Sequence, residues 1–343
     1  DSLTAPGTVT APDGRTLSLR VDALDLAGGR VSAGATGTVE IGPRTDGHAV
    51  QVGTAGDPAT TLELAPADLA AITAGTLRLG RTTIGSDTIT ANGLSVVEAL
   101  ATTANLTLLS AGGINVQAAL TGPTLRLEAA SGDILLGAVP LTANGASASI
   151  TLLTPGAITQ DSGGALVAPD GTDVALIAHA PGGITLFGEG DFTLAGGLTP
   201  SGAGGERSLY AADSIGFTTT GALTVASTVE ATAAGASVAL GGGSISVEAP
   251  VTTDTTAGSI SLTATGEGAA STITQTAAGV LTTHTLNLAA DGAIDLAQAA
   301  NVVGTLGTLS FNDAFGYRSS TGFTVSGPLA PTGSWMMAPA ERI

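Results

Sequence analysis

The segment Leu125-Arg126-Leu127-Glu128-Ala129-Ala130-Ser131-Gly132-Asp133-Ile134-Leu135-Leu136 holds the pattern that decides the fold. Two short apolar triplets, Leu125–Leu127 and Ile134–Leu136, stand on either side of a turn. Alternation with a period of two places the outer residues of a triplet on one face of a β-strand and its middle residue on the other. The segment therefore predicts two very short strands joined by a corner. Such strands are too short for a sandwich, whose strands usually run about five or six residues.

The same triplet recurs along most of the chain. Further examples are Leu106-Thr107-Leu108, Ile114-Asn115-Val116, Ile150-Thr151-Leu152, Val174-Ala175-Leu176, Ile184-Thr185-Leu186, Leu223-Thr224-Val225, Val238-Ala239-Leu240, Ile245-Ser246-Val247, Ile260-Ser261-Leu262, Leu286-Asn287-Leu288 and Ile294-Asp295-Leu296. Pairs of triplets recur every 19 to 26 residues or so, a period typical of solenoids. The chain is long enough for about 13 to 15 coils of that length.

Glycine stands at a fixed position before many of these strands. It lies two residues ahead of an Ile at Gly112, Gly132, Gly156, Gly182, Gly243, Gly258 and Gly292, and Asp213 takes the same place before Ile215. Gly adopts a positive φ without steric cost, and Asp is one of the few other residues that tolerate it. The spacing predicts a tight corner with positive φ at each of these positions.

Composition limits the class of protein. The mean hydropathy is +0.41 and only 11% of the residues are charged, so the chain is too apolar for a disordered tract despite its 50 Gly. Aromatic residues make up 3%, so the core is expected to consist of Leu, Ile, Val and Ala. There is no Cys, which excludes a disulfide framework and a thiolate metal site.

The charge distribution argues against nucleic acid as a partner. The net charge is −18 and all ten basic residues are Arg, of which only Arg207, Arg318 and Arg342 follow residue 130. Phosphate binding requires a basic surface, and the sequence offers none.

No apolar run reaches the roughly 18 residues that a membrane helix needs, so no transmembrane segment is expected. A chain that starts at Asp1 without a charged and then apolar leader is expected to be a mature product or an excised piece.

These patterns predict an all-β fold, a right-handed parallel β-helix (solenoid) with capped ends. The right hand follows from the general rule for parallel connections. We expect the β-helix to span residues 1–310. A short α-helical excursion is expected near residues 66–72, where Pro66 begins a helical pattern. Residues 311–343 are expected to form an aromatic-rich cap or docking segment, because solenoid ends must be covered. The candidate residues for this cap or interface are Phe311, Phe315, Tyr317, Phe323 and Trp335.

The pattern resembles the passenger region of filamentous-haemagglutinin-type exoproteins, the large bacterial β-helical adhesins, over about residues 60–300. The resemblance is carried by Ala65–Gly80, Gly258–Leu262, Ile273-Thr274-Gln275 and Gly279–Thr282. It implies export and a role in adhesion, biofilm matrix, contact-dependent toxicity or surface filaments. The chain departs from the family in three respects: it lacks the Asn-Pro-Asn-Gly secretion signature, a toxin-like domain and an outer-membrane barrel.

Parallel β-helices also include pectin-active lyases and hydrolases, whose chemistry requires particular residues. Lyases need a basic catalytic residue with carboxylate-bound calcium, and hydrolases need clustered Asp. Lys is absent, and the pairs Asp170/Asp173 and Asp291/Asp295 are typical of turns. The sequence therefore predicts no catalytic residue and no enzyme activity.

The remaining motifs predict neither a cofactor nor a metal. His48, His179 and His284 share no metal-ligand spacing and are expected on the surface or in loops. The tract Gly241–Gly243 lacks the Lys and the helix of a phosphate-binding loop.

The expected function is therefore that of an extracellular structural or adhesive β-helix on the bacterial cell surface. Two versions remain open, a rigid spacer or adhesin and a subunit that assembles into a filament or matrix. Its expected partners are a second copy joined end to end, or a host or surface glycan or protein receptor. The alternatives are a pectin-active polysaccharide lyase or hydrolase and, third, a carbohydrate-binding module without turnover.

Overall fold

The computed structural model describes residues 2–4, 6–54, 59–80, 82–84, 87–89, 93–169, 172–189, 191–194, 207–266, 271–327, 329–331 and 335–338. The chain divides into two compact units, unit 1 (Asp1–Pro169) and unit 2 (Asp170–Ile343). Each unit consists of stacked parallel β-coils, and the two together form about 13 solenoid turns. The predicted parallel solenoid is therefore confirmed, while its right hand stays a prediction.

The described residues of unit 1 form one helix and 23 strands. They are β1 (Ser2–Thr4), β2 (Thr8–Thr10), β3 (Thr16–Arg20), β4 (Ala23–Asp25), β5 (Arg30–Ser32), β6 (Thr38–Gly42), β7 (Ala49–Val52), β8 (Thr61–Leu64), α1 (Pro66–Ala70), β9 (Ile72–Thr73), β10 (Thr76–Leu79), β11 (Thr82–Ile84), β12 (Asp87–Ile89), β13 (Leu94–Val96), β14 (Leu100–Ala101), β15 (Asn105–Ser110), β16 (Ile114–Val116), β17 (Leu120–Gly122), β18 (Thr124–Ala129), β19 (Ile134–Leu136), β20 (Pro140–Ala143), β21 (Ser149–Leu153), β22 (Ile158–Gln160) and β23 (Ala165–Val167).

Most strands of unit 1 belong to three parallel ladders. Ladder A runs β3, β6, β10, β15, β18 and β21. Ladder B runs β7, β13, β16, β19 and β22, with β8 on the other side of β7. Ladder C runs β14, β17, β20 and β23. Each regular coil thus adds one strand to each ladder, and β11 and β12 form an antiparallel hairpin outside them.

Unit 2 contains the remaining 18 strands. They are β24 (Asp173–His179), β25 (Ile184–Glu189), β26 (Asp191–Leu194), β27 (Arg207–Ala211), β28 (Ile215–Thr219), β29 (Ala222–Val225), β30 (Thr228–Ala231), β31 (Ser237–Gly242), β32 (Ser244–Val247), β33 (Val251–Thr252), β34 (Ser259–Ala264), β35 (Ile273–Gln275), β36 (Leu281–Ala290), β37 (Ile294–Phe311), β38 (Phe315–Ser319), β39 (Thr324–Val325), β40 (Leu329–Pro331) and β41 (Trp335–Ala338).

Unit 2 also has three parallel ladders. Ladder D runs β24, β27, β30, β33 and β36, and ladder E runs β25, β28, β31, β34 and β36. Ladder F runs β26, β29, β32, β35, β37, β38 and β41. Strand β37 is 18 residues long and takes part in all three ladders, because its hydrogen bonding continues through the corners with register shifts.

The core of each unit is built from aliphatic columns. In ladder A, Leu77, Leu106 and Leu125 occupy one register position and are each 0–1% exposed. Their neighbours two residues along, starting at Leu79, form a second buried column. Each fully buried Leu contributes about 1.5–3 kcal/mol relative to an exposed one. The outer residues of every triplet therefore supply the core, as their period predicts.

The corner glycines follow a different rule from the predicted one. Of the seven predicted positions, only Gly132 has a positive φ, of 75°, and Asp213 does not have one. At Gly156 a Cβ would lie 2.3 Å from Asp133 Oδ1 and 2.4 Å from the carbonyl oxygen of Gly132. Gly is thus needed at Gly156 because the backbones of neighbouring coils approach closely there.

The predicted helical excursion is found as α1, with Pro66 in its first turn and Leu69 buried. Asp68 Oδ1 accepts a hydrogen bond from the Leu26 amide, 3.1 Å away, which holds the helix on an earlier coil. Ile72, which the predicted excursion near residues 66–72 includes, instead belongs to β9 and pairs with Val31. Among the described residues, no helix combines the length and apolar composition needed to cross a membrane.

Carboxylates at the turns connect one coil to the next. Asp13 Oδ1 accepts hydrogen bonds from the amide and the hydroxyl of Thr36, both at 2.9 Å. Asp133 Oδ1 accepts one from the Ala157 amide at 2.8 Å. In unit 2, Asp254 accepts from the Thr256 hydroxyl at 2.7 Å and from the Ala257 amide at 3.0 Å. Part of the acidity of the chain therefore serves to satisfy turn amides.

These bonds make stability depend on pH. The hydroxyl and amide of Thr256 lower the pKa of Asp254 below its ordinary value. The stabilisation from a carboxylate with a lowered pKa is complete above about pH 4 and is lost as the pH falls through the folded-state pKa. We expect Asp254→Asn to reduce the loss of stability below pH 4, measured by chemical denaturation across a pH series. Thr256→Val should also reduce the loss of stability below pH 4. An unchanged acid dependence in both variants would contradict this prediction.

Candidate functional site

A groove with a volume of about 450 Å³ lies on the outer side of ladder B in unit 1. Ligand sites commonly have volumes of about 300–1,000 Å³. The groove crosses β7, β13, β16 and β19, so it runs from coil to coil rather than along one strand. It is a candidate binding groove formed by the stacking itself.

A row of middle residues from successive triplets runs along ladder B, and three of its four members, Ser95, Asn115 and Leu135, line the groove. Gln51 pairs with Ser95, Ser95 with Asn115, and Asn115 with Leu135 in the parallel register. All four point away from the core because their strand neighbours are buried. Ser95 Oγ donates a hydrogen bond to Gln51 Oε1 at 3.2 Å. The row therefore presents an amide, a hydroxyl, a second amide and an apolar side chain in order.

The floor of the groove consists of small residues. Ala49, Gly93 and Gly113 each precede one strand of ladder B or begin it, and they line the depression. A Cβ on Gly113 would lie 2.8 Å from the carbonyl oxygen of Asp133. The close approach of neighbouring coils thus excludes a larger residue at Gly113 and leaves space above the floor.

Asp133 and Leu135 close one end of the groove. Asp133 is the only charged side chain among the described residues that line it. Leu135 is 44% exposed, the most exposed of the large apolar side chains in the described part of the chain. The groove therefore combines neutral hydrogen-bonding groups with one carboxylate and one apolar contact.

A carboxylate and an Arg from neighbouring coils do meet in unit 1, on ladder A. Glu40 and Arg78 are register partners and form an ion pair, and Ser18 Oγ donates to Glu40 Oε2 at 3.0 Å. The Glu40 side chain is only 5% exposed, and neither residue lines the groove on ladder B. Both oxygens of Glu40 thus have partners within the ladder.

His48 lies in a turn, as expected, with its Nδ1 3.8 Å from Asp22 Oδ1. His179 and His284, expected on the surface or in loops, are half-buried residues of strands β24 and β36. His179 makes an edge-to-face ring contact with Tyr210, with centroids 6.1 Å apart. Within the described ranges, no three His, Asp or Glu side chains are close enough to hold a metal ion together.

The candidate aromatic cap is mostly part of the core of unit 2. Phe311, Phe315 and Tyr317 are each 1–2% exposed, and the three rings stack with centroids 5.1 and 6.4 Å apart. Burial raises the pKa of Tyr317 to about 12, since it disfavours the phenolate. Phe323 is half-buried against Tyr317, and the side chain of Trp335 lies outside the described residues.

The backbone of this segment continues the stack. Strands β38 and β41 extend ladder F, and β39 and β40 pair with β37. The three stacked rings are buried. Of the four described rings, only Phe323 is therefore available at the surface for docking. The capping role of residues 311–343 stays a prediction.

No family model, curated protein or solved structure matches the chain. The resemblance to filamentous-haemagglutinin-type exoproteins therefore stays a prediction.

The sequence predicts the components of the groove but not the groove itself. The triplets containing Asn115 and Leu135 predict strands with these middle residues on the outer face. The signal that could have revealed the groove is the combination of a Gly before the strand with an outward middle residue, repeated 20 residues apart at Asn115 and Leu135. Leu135 breaks the polar pattern of the row.

Proposed function

We propose that this chain is an extracellular, non-catalytic adhesive element, a β-solenoid that presents binding rows at the bacterial cell surface. The observation that carries the proposal is the register of ladder B. Its outward side chains Gln51, Ser95, Asn115 and Leu135 form one row across four coils, beside a groove. Such a row offers a repeated surface to an extended ligand.

Two further features favour a binding role over the polysaccharide lyase or hydrolase alternative. The groove contains Asp133 but no described Arg or second acid beside it, whereas glycoside hydrolysis uses two carboxyl groups. The Glu40–Arg78 pair on ladder A is engaged within the fold. The resemblance to surface exoproteins and the net charge of −18 favour export and solubility outside the cell.

The test is adhesion of beads coated with the folded chain to bacterial and host-cell surfaces. We expect saturable adhesion that free soluble chain competes away. Beads coated with chain unfolded in guanidinium serve as the control. Adhesion no greater than this control, or release of unsaturated products from acidic polysaccharides with or without calcium, would overturn the proposal.

Negative-stain electron microscopy of the purified chain separates two forms of the proposal. Single particles are expected if the chain acts as a displayed adhesin or spacer. Ordered fibres would instead identify an assembling subunit of a filament or matrix, and the adhesion assay would then be repeated on the fibres.

A further inference from the structure

We propose that the ladder B groove binds an uncharged polysaccharide, a chain of pyranose rings that lies across the coils. This inference rests on the proposed adhesive function and names its ligand. It follows from the spacing, the hydrogen-bonding groups and the charge of the residues that line the groove.

The spacing of the row suits a polymer with a repeat of one sugar ring per coil. Neighbouring strands of a sheet lie about 4.7–4.9 Å apart, and the rings of an extended pyranose chain follow one another at a similar distance. Ser95, Asn115 and Leu135 belong to three successive coils in continuous register. Three consecutive rings can therefore meet equivalent positions of the row.

The chemistry of the row matches the two surfaces of a sugar ring. The Ser95 hydroxyl and the Asn115 amide both donate and accept, as sugar hydroxyls do. Leu135, 44% exposed, supplies an apolar contact for the C–H face of a ring. The floor at Gly93 and Gly113 carries no side chain, so a ring can approach the backbone of the ladder.

The charge of the groove selects against acidic ligands. Asp133 is the one charged group among the described residues lining it, and the whole chain carries −18. A carboxylate close to a bound uronate would repel it, most strongly at low salt. An uncharged chain incurs no such repulsion and can place a hydroxyl against Asp133.

The experiment measures binding of three hexameric oligosaccharides by isothermal titration calorimetry at low salt. The probes are a β-glucan, its N-acetylamino counterpart and oligogalacturonate. We expect at least one of the two uncharged probes to bind and oligogalacturonate to bind at least about tenfold more weakly. Tighter binding of oligogalacturonate would overturn the charge argument and the proposal.

Variants locate the site. Asn115→Ala should weaken binding up to about tenfold by removing hydrogen bonds, while Asn105→Ala, an outward Asn on ladder A, should leave it unchanged. Leu135→Trp should strengthen binding, because an indole stacks on a sugar ring better than an aliphatic chain does. The matched control is Val325→Trp, which adds the same ring at an exposed position in unit 2. A gain of affinity cannot arise from misfolding.

The outcomes also separate this inference from the proposed function. If the coated beads adhere to cells but no uncharged probe binds either the wild type or Leu135→Trp, the groove is not a polysaccharide site while the adhesive function stands. If the beads do not adhere, the adhesive function itself is overturned. Equal effects of Asn115→Ala and Asn105→Ala would place the ligand elsewhere.

Discussion

Replacing Ile260 with Ala is expected to lower the free energy of unfolding by about 2–5 kcal/mol. Ile260 is fully buried in ladder E, where its register neighbours are Val238 on one side and Leu286 on the other. The truncation removes apolar contacts with both adjacent coils. Because a solenoid coil packs mainly on its neighbours, little other structure can move in to fill the space.

Guanidinium denaturation followed by circular dichroism measures this effect. The control is Val325→Ala, which shortens a residue that is 39% exposed and should change stability by no more than about 0.5 kcal/mol. Comparable small losses for both variants would show that the aliphatic columns do not determine the stability of unit 2.

Replacing Gly80 with Ala is expected to cost at least about 2 kcal/mol. Gly80 follows β10 with φ +109°, a conformation that residues with a side chain rarely adopt. A Cβ there would also lie 2.0 Å from the carbonyl oxygen of Leu109 in the next coil. The backbone must shift to relieve this collision, which disturbs the pairing of ladder A.

The matched variant is Gly7→Ala, because a Cβ at Gly7 meets no atom within 4 Å and its φ is not positive. Its stability should remain close to that of the wild type when both are unfolded by guanidinium. A Gly80→Ala variant as stable as Gly7→Ala would mean that the coils can separate at this corner without cost.

The sequence was sufficient to predict the strands and their stacking because both depend on local alternation. The triplet Ile114–Val116 is β16 itself, and Ile134–Leu136 is β19, with the middle residues outward as expected. The reason for the corner glycines was predicted incorrectly. A positive φ is a local property, whereas the close approach at Gly156 depends on how the neighbouring coil passes.

Contacts between coils could not be predicted because the coil length varies. Leu106 pairs with Leu125 after 19 residues, but Val50 pairs with Leu94 after 44, since α1 and other segments intervene. The groove and the Glu40–Arg78 pair depend on that register, as does the approach of His48 to Asp22. The period of the sequence gives the average length of a coil. It does not identify the residue of the neighbouring coil that pairs with a given side chain.

A buried polar cluster in unit 2 contains Gln275. The tripeptide Ile-Thr-Gln recurs at residues 158–160 and 273–275, and this recurrence predicts the cluster only partly. Gln160 and Gln275 both end a strand and turn inward, 7% and 5% exposed. Gln275 Nε2 donates to Asn301 Oδ1 at 2.6 Å, and the same oxygen accepts from the Leu281 amide at 2.9 Å. The amide of Asn301 donates to the Arg318 carbonyl at 3.0 Å.

Asn301 therefore ties its own coil to the coils before and after it. Under mechanical tension, parallel coils of this kind detach one at a time, since each is held mainly by its neighbours. A side chain fully buried and bonded to three successive coils resists that peeling, because its hydrogen bonds must break together without water to replace them. Asn301 thus holds three successive coils together. We expect mechanical extension of unit 2 to pause at the coil that contains Asn301.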